Sequence, residues 1–344
     1  MKAKSSGSYI RTEVSKARII RDLRKIGVKE GDHIAVTLSF KSIGYVKGGP
    51  EAFIDALLEL VGPDGTIMMN TYTRSFSLSE IASDYIFEYK STPAYTGLVP
   101  ETLRRRRNSI RSRHPTCSVT AIGKLAKYLT EGHDKNSSAH MPYSRLASVD
   151  GTYLCIGLGN NLVAVRHESQ RLAGLFNVVP IVHGVKYRDD EGKVKIFVFD
   201  YPPCVKKLPK LVPILRKMGT VKIGRIGMAY SILAPARGLL KVMTGMLKEN
   251  PTLNLCDNVF CLWCRELERR LNLYKKIENP KYFQKSSFMI QTIALVNWFR
   301  LKKFRFMSFR RGKGDEIKER GWLNLSISKG ILRTFYFVLY EFLR

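Results

Sequence analysis

The chain has 344 residues, with 58 Lys+Arg against 29 Asp+Glu and six Cys. A hydrophobic share of 44% supports a large core and excludes both a disordered polyelectrolyte and a small disulfide-stapled domain. The formal net charge of +29 predicts anionic company: nucleic acid, phosphorylated metabolites or a membrane surface.

In chain order, Ala17, Ile19, Ile20, Leu23 and Ile26 fall at helical spacing and Gly27 ends that helix. His33–Phe40 reads as a strand. Gly44 to Pro50 is a glycine-rich loop whose proline suits the first turn of a helix with Phe53, Ile54, Leu57, Leu58 and Val61 as its buried stripe. Gly62 caps that helix, Pro63-Asp64-Gly65 turns the chain, and Thr66–Met69 is a second strand. The run is an α/β unit. Further on, Leu98–Arg107 reads as a helix, Val119–Leu129 as a short α/β step, Thr152–Leu158 as a buried strand and Leu162–Leu172 as a helix. Val178–Tyr187 and Val194–Asp200 read as a hairpin. Pro209 and Pro213 argue against a long helix over Lys206–Met218, and Leu239–Lys248 reads as helical.

The N-terminus, Met1 to Tyr9, is polar and lacks the apolar run of a secretory signal. The apolar stretch at Phe288–Phe299 is broken by Gln291, Thr292 and Asn297, so it is too short and polar for a membrane span. With unevenly spaced cysteines, a cytoplasmic protein is expected. Two regions are expected, 1–270 and 271–344. The second holds 16 Lys+Arg against 5 Asp+Glu, interleaved with aromatics such as Trp298, Phe304 and Trp322. Its last segment sets Ile331, Phe335, Val338, Leu339 and Phe342 on one helical face. Such a basic, mostly helical extension either docks on the main domain or lies on an anionic membrane surface. No recognised nucleic-acid reading motif is present, so nucleic acid is not an expected partner.

Several groups could carry chemistry. Ser39, Lys41, Ser42 and Gly44, followed by Gly48 and Gly49 at a helix start, could cradle an anion on backbone N–H groups, or form an ordinary turn. Arg113 to Ser118 offers His114 as a base and Cys117 as a thiolate, or else a satisfied strand edge. In a helix, Gln170 shares a face with His167 and could orient its ring, while Glu168 points elsewhere. The spacing of Cys256, Cys261 and Cys264 resembles an iron–sulfur run, with Cys204 the nearest fourth ligand. The apolar residues around them point instead to a buried helix, and no metal is expected. Arg104–Arg107, Arg111 and Arg113 could read phosphate or form a solvated helix end.

Together these stretches resemble the aminoglycoside 3-N-acetyltransferase family. The matching text runs in order from Gly31-Asp32 through Ser39 to Gly44, Gly48-Gly49-Pro50, Gly62 to Thr66, Arg111 to Ser118, and Asp150-Gly151 to Gly157-Leu158-Gly159. It covers about residues 15–270. The resemblance implies an α/β fold with a deep cofactor cleft. It also implies acetyl-CoA as acyl donor, held by Ser39, Lys41, Ser42, Gly44, Gly48, Gly49 and Ser118. Its general-base histidine falls on His167, and the glutamate of its H-x-x-E pattern falls on Gln170. Glu168 could substitute for that carboxylate, and His114 stays the candidate base of its own segment. Its His-Ser-Ser reads Thr37-Leu38-Ser39 here, and its second histidine after His-Pro-Thr is Cys117. These changes sit on the acceptor side. An amine of a nucleotide- or lipid-linked sugar of polysaccharide assembly is the acceptor expected from the charge. An aminoglycoside, as in antibiotic resistance, and a catalytically weakened coenzyme A binder are the alternatives.

Overall fold

The structure, a computed structural model, describes residues 12–77, 80–81, 84–175, 182–200, 204, 211–258 and 260–277. The chain divides into two units, Met1–Asn272 and Leu273–Arg344. The first carries the architecture below, except that the last residues of α9, 273–277, fall in the second. The amphipathic segment expected at 331–342 lies outside the described residues.

The strands are β1 (Glu13–Val14), β2 (His33–Leu38), β3 (Tyr45–Val46), β4 (Thr66–Asn70), β5 (Phe76–Ser77), β6 (Ile86–Phe87), β7 (Ile110–Arg111), β8 (Val119–Gly123), β9 (Thr152–Ile156), β10 (Val182–Arg188), β11 (Val194–Asp200), β12 (Lys222–Ile226) and β13 (Ala229–Pro235). The helices are α1 (Lys16–Ile26), α2 (Gly49–Val61), α3 (Leu98–Arg105), α4 (Ala126–Thr130), α5 (Met141–Ser148), α6 (Val163–Leu172), α7 (Val212–Lys217), α8 (Ala236–Glu249) and α9 (Leu262–Ile277).

Local chemistry sets the first unit. The Ser15 hydroxyl accepts from the Arg18 N–H at 3.2 Å and caps α1, and Gly27 closes it at φ 116°, where a side chain would be strained. Pro50 stands in the first turn of α2, as its missing N–H predicts. Phe53, Ile54, Leu57 and Val61 are buried; Leu58 packs at the margin and Leu60 joins the core instead.

A seven-stranded sheet orders as β12-β13-β9-β2-β4-β8-β7. β2 pairs in parallel with both β4 and β9, and the outer pairings are antiparallel. Period-two alternation splits the strand residues between two layers. Ile34, Val36, Ile67, Met69, Leu154 and Ile156 pack with α1, α2 and α3. Ala35, Met68, Tyr153, Cys155 and Ile232 pack with α4, α5, α6 and α8. All five residues of β4 are buried, so a charge at Met68 would forfeit about 1.5–3 kcal/mol of apolar burial and add the cost of an unpaired ion.

β10 and β11 form the expected hairpin in a smaller sheet with β5 and β6. Pro213 falls in the first turn of α7, which is accordingly short.

This topology positions a site. β2 leads into α2 on one layer, and β9, its parallel neighbour, leads into α6 on the other. Adjacent parallel strands whose connections leave to opposite faces open a crevice at their carboxyl ends, where ligands of α/β proteins bind.

Candidate active site

The loop after β2 forms one wall. Phe40–Ile43 make a single 3-10 turn, in which the Ser42 hydroxyl donates to the Ser39 hydroxyl at 2.8 Å. Gly44 holds φ 106°, and a Cβ there would sit 3.0 Å from the Thr12 carbonyl oxygen. Gly48 and Gly49 also take positive φ, and they deliver the chain into the N-terminus of α2. Lys41 is exposed on this loop. A helix N-terminus behind glycines presents N–H groups and positive potential, which suits phosphate.

The loop after β9 meets that wall directly. The Ser39 N–H donates to the Ile156 carbonyl at 2.8 Å, and the Ser42 hydroxyl reaches the Gly157 carbonyl at 3.3 Å. A Cβ on Gly157 would stand 2.5 Å from the Ser42 Cβ, and its φ is 69°, so only glycine fits. Asn161 in the same loop accepts from the Arg166 guanidinium.

His167 follows on α6, with its Nδ1 2.9 Å from Gln170 Oε1. The i,i+3 pairing read from the sequence is thus formed. Proton positions follow by exclusion. The Cys204 carbonyl only accepts, and Gln170 Nε2 lies 3.4 Å from it, so the amide turns its NH₂ there and its oxygen to the imidazole. That oxygen accepts, so Nδ1 carries the hydrogen and Nε2 carries the basic lone pair. Burial, reinforced by the Arg166 charge, pushes the His167 imidazole down to about 3. The ring is neutral at physiological pH and disposed to pass on any proton it takes.

His140, at the start of α5, stacks on His167 with ring centroids 5.3 Å apart and planes 14° apart. Its Nδ1 lies 3.3 Å from the hydroxyl of Tyr72, just beyond β4. The carboxyl ends of β2, β9 and β4 lie side by side along one edge of the sheet. The sequence reading missed His140 and Tyr72, because no local spacing ties them to residue 167.

Other expected residues are placed differently. Glu168 is fully buried, accepts two bonds from Arg171 at 2.7 and 2.9 Å, and is held by the Ser144 hydroxyl. It clasps α5 to α6 and is not the carboxylate of His167. Ser118 is also fully buried. Its hydroxyl donates to the Thr71 carbonyl at 2.7 Å and accepts from Arg111 Nε at 3.1 Å, which leaves it no reach to a cofactor or oxyanion. His114 Nδ1 accepts the backbone N–H of Cys117 at 3.0 Å and of Thr116 at 3.3 Å, so the ring closes a turn. Phe197 meets His114 edge-on at 5.2 Å, and burial pushes that imidazole down to about 3. His114 is a structural residue rather than a second base.

Burial pushes the Cys117 thiol up to about 11, which removes the thiolate a covalent route needs. Arg104 and Arg105 bond Glu101, and Arg106 bonds Glu51 and Asp55, so this run serves the fold rather than a phosphate. An open concavity lined by Lys16, Ile20, Arg21, Arg24 and Glu59 contains none of the crevice residues.

The reading of Cys256, Cys261 and Cys264 as residues within a buried helix is also corrected. Cys256 and Cys261 precede α9, Cys264 lies in its first turn, and the three sulfurs gather with that of Cys204. Among the described residues no helix is long and apolar enough to cross a membrane.

Comparison with known proteins shows the family. The family model described as aminoglycoside 3-N-acetyltransferase matches residues 36–248. Aminoglycoside N(3)-acetyltransferase VIII of Streptomyces fradiae is 33% identical over 176 residues, covering 46% of this chain and 62% of the relative. Aminoglycoside N(3)-acetyltransferase VII of Streptomyces paromomycinus is 29% identical over 270 residues, covering 69% and 92%. The crystal structure of aminoglycoside acetyltransferase AAC(3)-Xa superposes with a TM-score of 0.59 at 25% identity, covering 69% of this chain and 93% of that one.

Proposed function

Because the chain belongs to the aminoglycoside 3-N-acetyltransferase family, we propose that it transfers the acetyl group of acetyl-CoA directly to an amine of an amino sugar, with His167 as general base. The observation that supports this is the Cys204 carbonyl–Gln170–His167 relay, which fixes the tautomer of a neutral imidazole and leaves its Nε2 lone pair as the basic one.

The loop of Ser39, Lys41, Ser42, Gly44, Gly48 and Gly49 holds the coenzyme's pyrophosphate and so aims its thioester. His167 Nε2 takes a proton as the amine attacks the thioester carbonyl. The tetrahedral intermediate collapses, the C–S bond breaks, and the proton passes to the departing thiolate. The low basicity of His167 favours that second transfer. With Ser118 sealed in the core, stabilising the oxyanion falls to backbone N–H groups at the crevice.

Charge favours an acceptor that brings phosphate. Lys41 lies on the loop after β2 and Arg166 on α6, Glu168 is neutralised by Arg171, and the whole chain is +29. A polycation is repelled by such a field, and a nucleotide- or lipid-linked amino sugar is attracted. The basic, aromatic sequence of 271–344 supports a place at an anionic membrane surface. The second reading, an aminoglycoside acceptor, rests on the names of the relatives. Thiol release from acetyl-CoA, measured across nucleotide-linked amino sugars and aminoglycosides, separates the two. Higher kcat/KM on the nucleotide-linked sugars supports the first; turnover confined to aminoglycosides overturns it.

A further inference from the structure

The sulfurs of Cys204, Cys256, Cys261 and Cys264 lie within 4.8 Å of one another. They come from three separate places in the chain: position 204, the loop before α9, and the first turn of that helix. Chance burial of thiols does not require four of them to point at one centre. We propose that these four cysteines form a structural tetrathiolate site for a single zinc ion.

The dimensions suit one ion. A Zn–S bond of about 2.3 Å in a tetrahedron sets the sulfurs ~3.8 Å apart, inside the observed limit. A multi-iron cluster distributes its thiolates over different irons and needs them more widely separated, so the iron–sulfur reading of the C-x4-C-x2-C spacing gives way to a mononuclear one. A set of four sulfurs leaves no position for water or substrate, which marks a structural rather than a catalytic metal.

The surroundings suit thiolates. The Cys256 N–H donates to Cys264 Sγ at 3.2 Å. Cys261 immediately precedes α9 and Cys264 stands in its first turn, where the helix dipole favours negative charge. The Arg265 guanidinium bonds the Cys256 carbonyl at 2.7 Å and brings a cation beside a site whose net charge with Zn²⁺ is −2. Leu255, Leu267 and Leu271 pack around it. On binding, four Zn–S bonds form as the four thiol protons pass to solvent, and no electron moves. The small apolar cluster here is too slight to fix α9 by burial alone, and the ion supplies what it lacks. The site also adjoins the transfer centre, because the Cys204 carbonyl is the acceptor for Gln170.

The test is metal analysis of the purified full-length protein. Inductively coupled plasma mass spectrometry is expected to find about one zinc per chain and no stoichiometric iron. Titration of the wild type with p-chloromercuribenzoate is expected to release that zinc as four thiols react. The pair Cys261→Ser/Cys264→Ser is expected to lose the metal, while Cys117→Ser/Cys155→Ser keeps it. If the first pair fails to fold, the wild-type titration still decides. Wild-type protein without zinc after incubation with the metal, zinc that survives the first pair, or iron in its place would each overturn the proposal.

Discussion

Replacing Gln170 by Glu restores a carboxylate three residues beyond His167, and the structure says what this should do. The imidazole sits at about 3 instead of 6.5 because burial and Arg166 disfavour its cation, a penalty of about 5 kcal/mol on the protonated ring. The present amide oxygen, 2.9 Å away, offers only a dipole against it. An anion at that distance raises an imidazole pKa by roughly 1–3 units, worth about 1.4–4 kcal/mol. The variant also loses the N–H that meets the Cys204 carbonyl, so the gain falls toward the lower figure. Histidine Cε1–H chemical shifts followed against pH in Gln170→Glu are expected to move the His167 midpoint upward. If proton abstraction limits turnover, kcat rises with it. A midpoint unchanged or lowered would refute the relay described here, because the side chain at 170 would then not face the imidazolium.

Cys117→Ser should keep turnover within a few-fold, since a thiol held at about 11 is no nucleophile; loss of all activity together with trapping of an acetylated cysteine would contradict direct transfer. Gly157→Ala should raise the KM for acetyl-CoA and cost about 1–3 kcal/mol of stability, read by urea denaturation, because its Cβ meets Ser42 and its φ is positive. The imidazoles of His114, His133 and His167 lie at about 3, 4 and 3 in the fold, below their value in the unfolded chain. The unfolded state then binds more protons below pH 6.5, so stability is full above that value and falls as pH drops toward 4, by up to about 1.4 kcal/mol per pH unit for each histidine. A urea midpoint that stays flat from pH 7.5 to 4.5 would contradict their neutral burial. Protein lacking residues 278–344 should lose flotation with vesicles rich in anionic lipid, and equal flotation of both forms would remove the membrane role of that segment.

Much of the fold was legible because it is written locally. The stripe of α1 and its Gly27 end, Pro50 at the start of α2, and the β10–β11 hairpin each follow from residues a few positions apart. The His167–Gln170 pair was legible for the same reason, since helical geometry fixes i,i+3 neighbours. What required the tertiary structure was adjacency. Nothing in the spacing tells that β9 runs beside β2 or that His140 lies flat on His167. Ser118 and Glu168 misled for a related reason. Both look like free polar groups in the sequence, and both are consumed by partners that only the fold supplies, Thr71 and Arg111 for one, Arg171 and Ser144 for the other.

The central claim is that His167 is the proton acceptor of acetyl transfer and not a holder of the coenzyme. The direct measurement is kcat and coenzyme A affinity of His167→Ala side by side with the wild type. A fall in kcat of about 10²–10⁴ is expected, with the dissociation constant of coenzyme A essentially unchanged. Turnover equal to that of the wild type in a folded, coenzyme-binding variant would contradict it.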